Sequence, residues 1–159
     1  MDFYENVVVE YLRADRSIFV NTECCIQLNE SDNPDTSGLH WYCDAVAVDL
    51  RNSAAFLCEV TFASQLSGLS KRLTGWDANW EGVCKALSRD SNIPSAWPLR
   101  PWLFIPENLI PKILAKTDKL EELPSPKITP LEMVQPWKYV SWNRKSEIQK
   151  PDSIPKNMQ

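Results

Sequence analysis

The chain has 159 residues, 43% of them hydrophobic and 24% charged, the make-up of one folded domain with its own core. Its net charge of −4 is uneven: residues 1–40 hold eight acids and two bases, whereas residues 137–159 hold two acids and five bases. This excludes a protein that holds nucleic acid by bulk positive charge, and the lack of any run of about 18 apolar residues excludes a membrane-spanning helix.

The first residues, Met1-Asp2-Phe3-Tyr4-Glu5, are acidic and lack a basic segment followed by an apolar one, so no secretory leader is expected. The five cysteines, Cys24, Cys25, Cys43, Cys58 and Cys84, are odd in number and never spaced as Cys-x-x-Cys. A reduced, cytoplasmic protein is the expectation. His40 is the single histidine, so no zinc site is expected.

In chain order, Asp2-x-x-Glu5 resembles a capping box, and Phe3, Val7, Val8, Tyr11 and Leu12 follow helical spacing, which predicts a helix over 3–14. Residues 17–28 have β-type composition with an interruption at Asn21, and 29–39 form a polar loop. Residues 41–50 and 54–62 read as two strands joined by a short turn at Arg51-Asn52-Ser53. Both are apolar on both faces at their centres, as in strands covered on both sides. Leu66, Leu69, Leu73, Trp76, Trp80, Val83 and Leu87 then recur at steps of three and four, which predicts one long helix over about 64–89. Gly68, Gly75 and Gly82 run close to that stripe, where they permit a close approach to the sheet. A strand is predicted at 102–105 and a helix at 107–122. Residues 123–136 are proline-rich and expected to be extended, 137–142 are expected to dock as an edge strand, and 143–159 are expected to be disordered. The domain is expected over 1–122, with 123–159 an extension partly packed on it.

The candidate site follows from the hairpin. With Arg51-Asn52 at its centre, paired residue numbers sum to 103, and Asp44 lies directly opposite Glu59. Like charges so placed destabilise a sheet, so something must compensate: a raised pKa or a bound divalent cation. Asp49 lies on the other face near the turn and reads as solvated.

Asp44, followed fifteen residues later by Glu59-Val60-Thr61, resembles the PD-(D/E)XK nuclease superfamily. Glu5 with Tyr11-Leu12 is similar to the first helix of its Holliday-junction-resolvase-like branch. The resemblance covers about residues 2–106 and implies an α/β, restriction-endonuclease-like core: helix, strand, β-hairpin, long helix, strand, with a mixed sheet flanked by helices. It implies a Mg²⁺- or Mn²⁺-dependent DNA phosphodiesterase in which Asp44 and Glu59 ligate the metal and Glu5 contributes from the first helix. Helical geometry alone does not choose Glu5 over Glu10. The family motif ends in lysine, where this chain has Thr61. Lys71, or Arg72, is the candidate replacement, and Gln65 is a further polar candidate.

The rival reading keeps the fold without the chemistry, as a protein- or DNA-binding module using its tryptophan-bearing C-terminal segment. A third is an unrelated α/β protein in which Asp44 and Glu59 share no role. Expected partners are DNA, a protein docking on the C-terminal segment, and a second copy of the chain, with no membrane.

Overall fold

The computed structural model describes residues 2–29, 38–62, 64, 66–139 and 143–144. The chain forms α1 (Phe3–Arg13), β1 (Ile18–Gln27), β2 (His40–Asp49), β3 (Ala54–Val60), α2 (Ser67–Ala78), α3 (Trp80–Ser91), β4 (Leu99–Ile105), α4 (Ile110–Thr117) and β5 (Lys127–Pro130). The five strands make one mixed sheet in the order β1-β2-β3-β4-β5. β2 runs antiparallel to β1 and β3, while β4 and β5 run parallel to β3. Among the described residues no helix is long and apolar enough to cross a membrane.

Each face of the sheet buries its own core. Val8 and Leu12 of α1 cover Ala45, Ala47, Phe56, Cys58, Trp102 and Phe104. Leu69, Leu73 and Trp76 of α2, with Val83 and Leu87 of α3, cover Cys43, Val46, Leu57, Leu103 and Ile105. β2 and β3 are therefore apolar on both faces because both are covered. All five cysteines are free, and burial pushes the Cys43 and Cys58 thiols up, so they behave as small hydrophobes.

Several local expectations change. β1 is not interrupted at Asn21; the unusual residue is Glu23, at φ 51°, which stays within the strand. The helix predicted over 64–89 is two helices that break at Asn79, where φ is −129° and ψ 24°. The Asn79 side chain donates to the Gly75 carbonyl at 2.8 Å, a local bond that competes with helix continuation. The helix expected over 107–122 ends at Thr117 after a 3-10 turn over Glu107–Leu109. Asp77 Oδ1 then accepts the backbone N–H groups of Glu122 and Leu123 at 2.7 and 2.8 Å, fixing the segment that follows.

An edge strand not expected there lies at 127–130. Its flanking prolines suit a strand paired on one side only. Trp137 sits in a 3-10 turn, Pro136–Lys138, and residues 140–142 fall outside the described residues. The disorder expected over 143–159 does not hold at its start. The Arg144 Nε donates to the Tyr11 carbonyl at 3.0 Å, and the guanidinium lies 4.3 Å over the Tyr11 ring. Residues 145–159, like 30–37 of the expected polar loop, fall outside the described residues.

Candidate functional site

The hairpin register is the one that the turn predicts. Ala45 pairs with Cys58 and Asp49 with Ala54, and the same register, continued one residue past the last pair, sets Asp44 beside Glu59. The two carboxyl groups lie close enough for Asp44 to act directly on the Glu59 pKa. Asp44 Oδ2 also accepts the Val60 backbone N–H at 2.9 Å, at the end where the β2–β3 ladder stops. Beyond it, the β3–β4 side continues one residue further, with the Thr61 N–H donating to the Phe104 carbonyl at 3.1 Å.

Glu59 is 5% exposed. Burial raises its pKa well above the carboxylate range, and Asp44 beside it raises it further. Arg72 opposes the shift: its Nη1 lies 2.6 Å from Glu59 Oε1 and also donates to the Tyr42 carbonyl at 3.0 Å. Burial works against the Arg72 charge, but Glu59 and Asp44 outweigh it and hold the guanidinium protonated.

Glu5 is the third acid. Asp2 caps α1, with its side chain accepting the Glu5 N–H at 2.8 Å and Glu5 Oε2 reaching back to the Asp2 N–H. That box fixes Glu5 in the first turn, facing the end of the hairpin. Its pKa is raised, first by burial and then by Asp44. Glu10, which the helical pattern placed equally well, is exposed and pairs with Arg13 at 3.7 Å.

A cleft of 260 Å³ is lined by Glu5, Asp44, Glu59, Thr61, Gly68 and Arg72, among others. The structure thus brings together Glu5, Asp44, Glu59 and Thr61, and leaves Lys71 outside. Lys71 is exposed on α2 and does not line the cleft. The helix period explains the choice: from buried Leu69, Lys71 lies about 200° around the axis and Arg72 only about 60°. Gln65 falls outside the described residues.

Sequence reasoning missed Glu23. Its neighbours pair as Thr22 with Ala45 and Cys24 with Cys43, so Glu23 stands across from Asp44 on the β1 side. With Asp2, Glu5, Tyr42 and Asp44 it lines a second cleft of 370 Å³. No spacing rule marks it; its signature is backbone strain, a left-handed conformation that costs a non-glycine residue on the order of 1 kcal/mol.

Among the described residues, no group of three or more His, Cys, Asp or Glu side chains stands ready as a metal cage. Mg²⁺, however, needs only one or two carboxylates, with water and phosphate oxygens completing its shell. Asp44 and Glu59 fit that chemistry. They are hard oxygen donors, and the cleft's three carboxylates face one lining cation, Arg72. No family model, no curated protein and no solved structure matches this chain.

Proposed function

We propose that the chain is a Mg²⁺-dependent DNA phosphodiesterase on a restriction-endonuclease-like core. The observation that carries the reading is the neighbouring pair of half-buried Asp44 and buried Glu59, held together against their repulsion and opening on a cleft with Glu5 and Arg72. Like charges placed side by side cost stability, more so where one is buried. The order of elements supports the same reading: α1, β1, the β2–β3 hairpin, α2 and α3, then β4 parallel to β3.

Asp44 and Glu59 would hold the cation, flanked by Glu5. A bound Mg²⁺ lowers the pKa of its water and offsets charge on a phosphate. Arg72 supplies a fixed positive charge where the family motif carries lysine, in a form suited to two phosphate oxygens at once. The Asp44 bond to the Val60 N–H orients that carboxylate without using both its oxygens. Thr61 lines the cleft as a neutral hydroxyl.

A second reading is a binding module on the same core with its chemistry lost. It is favoured by Thr61 at the motif position and by Arg72 neutralising Glu59 from within. Calorimetry with Mg²⁺ or Mn²⁺ separates the two. Sub-millimolar binding that disappears in both Asp44→Asn and Glu59→Gln, with metal-dependent cleavage of an oligonucleotide, supports the enzyme. No binding by the wild type, with both variants at least as stable, supports the module.

A further inference from the structure

Close to the carboxylate cleft, though not lining it, the fold leaves aromatic rings partly in solvent. Phe62 directly follows Thr61 and Tyr4 directly precedes Glu5, so their backbones lie next to those of two cleft residues. Their rings lie 4.2 Å apart at 30° to each other, and Phe3 meets Tyr4 edge-on at 5.5 Å. Phe62 is 55% exposed and Phe3 71%. A groove of 170 Å³ then separates Phe3 and Tyr4 from Trp137, which is 57% exposed. On the other side of Asp44, Tyr42 is 54% exposed and lines the second cleft. Single exposed aromatics are ordinary. A row of rings that starts beside a candidate reaction site and continues along one groove is not accounted for by packing.

The surroundings narrow what such a row can hold. Recognition of duplex DNA rests on several lysines and arginines against phosphates. Here the residues lining the two clefts include Asp2, Glu5, Glu23, Asp44 and Glu59, with Arg72 the one lining cation among the described residues. That lining repels the phosphates of a single strand as well, so charge does not select between duplex and single strand; the rings do, because stacking on an aromatic face needs bases out of the double helix.

We infer that the site takes single-stranded or locally unpaired nucleic acid, whose bases stack along Phe62, Phe3 and Trp137 while the backbone passes the Asp44–Glu59 cleft. This rests on the phosphodiesterase reading of that cleft and names its substrate class. Phe62 and Trp137 contribute ring faces, and the strand's path runs from the hairpin end across the N-terminus of α1.

The test is fluorescence anisotropy of labelled oligothymidine and of a labelled duplex, titrated with the full chain in calcium in place of magnesium. The expected result is single-strand binding at least about tenfold tighter than duplex binding. Phe62→Ala and Trp137→Ala each weaken it by about fivefold or more, the lower end of what one stacked base contributes, and Phe62→Trp retains it. Phe62→Ala also loses its ring contact with Tyr4 and should melt slightly below the wild type, so binding is read at a temperature where melting curves show every variant folded. Equal or tighter duplex binding, or alanine variants that bind oligothymidine like the wild type, overturns the inference. If that happens while Asp44-dependent metal binding and duplex cleavage persist, the substrate class alone is wrong. If ring-dependent single-strand binding persists without metal binding or cleavage, the enzymatic reading fails and the stacking row stands.

Discussion

Arg72 Nη1 sits 2.6 Å from Glu59 Oε1 and 3.0 Å from the Tyr42 carbonyl, so one side chain of α2 ties together β3 and β2. Removing it leaves a buried carboxyl without its counter-charge, and Glu59, whose pKa burial and Asp44 already raise, then takes up a proton. Arg72→Met is therefore expected to lower stability by about 1–3 kcal/mol, the loss of its charge-assisted hydrogen bonds, measured by urea unfolding. Arg72→Lys keeps the charge but loses the forked geometry, and falls between the two. The same variant separates a tether from an electrostatic role. With the competing cation gone, Mg²⁺ should bind Arg72→Met more tightly than the wild type in calorimetry, while any cleavage activity is lost.

The Asp44–Glu59 pair is expected to cost stability rather than supply it. Asp44→Asn keeps a carbonyl oxygen to accept the Val60 N–H and removes one of two facing charges. In metal-free buffer it should be more stable than the wild type, by up to about 1 kcal/mol. Glu59→Gln should gain less, because it also takes the charge partner from half-buried Arg72. Loss of stability in Asp44→Asn would assign the pair a structural role.

Periodicity makes much of this fold legible in the sequence, and single residues decide the rest. Hairpin register is set by turn length and alternation, so the Asp44–Glu59 pairing follows from the order of residues alone. The core face of α2 is legible from its steps of three and four. The break at Asn79 is not, because the apolar stripe continues in phase across it while one amide diverts the backbone. Composition misses the edge strand at 127–130, because the residues that pair with β4 are bracketed by prolines and read as extended chain. Glu23 lies beyond reach, since its place beside Asp44 depends on β1 pairing across a long loop. The choice between Arg72 and Lys71 is open in the sequence; it needs only the phase of α2 relative to Leu69.

Asp15 gives the fold an acid limit. It is 4% exposed, and its oxygens accept from Arg51 Nη1 and Nη2, each at 2.7 Å. The Arg51 hydrogen bonds hold its carboxyl below the ordinary value of 3.8. The folded state therefore binds fewer protons than the unfolded state in that window, and stability rises with pH through it. The contribution is complete above the unfolded value and lost as pH falls through the folded one. Asp15→Asn should cost about 1–3 kcal/mol at neutral pH. The gap from the wild type should close as the pH is taken below 3.8, read from urea midpoints across a pH series. A gap that stays constant with pH would make the loss one of packing rather than charge.

The glycines that keep step with the apolar stripe are expected to differ sharply when substituted. A Cβ at Gly68 meets nothing within 4 Å, whereas one at Gly75 comes within 3.2 Å of the Trp41 ring and one at Gly82 within 3.3 Å of Leu28. Alanine lowers the entropy of the unfolded chain at all three positions, by about 0.4–1 kcal/mol where the native backbone accepts it. Gly68→Ala should realise that gain, reduced because it lies in the first turn of α2. At Gly75 the indole of Trp41 must shift by a few tenths of an ångström, and Trp41 packs against the buried core around Leu73 and Trp76. Gly75→Ala should accordingly gain nothing or lose about 1 kcal/mol, as overpacking does. Thermal unfolding of the pair decides it: equal stabilisation by both would mean that the sheet does not need glycine for its approach to α2, and that Gly75 is there for another reason.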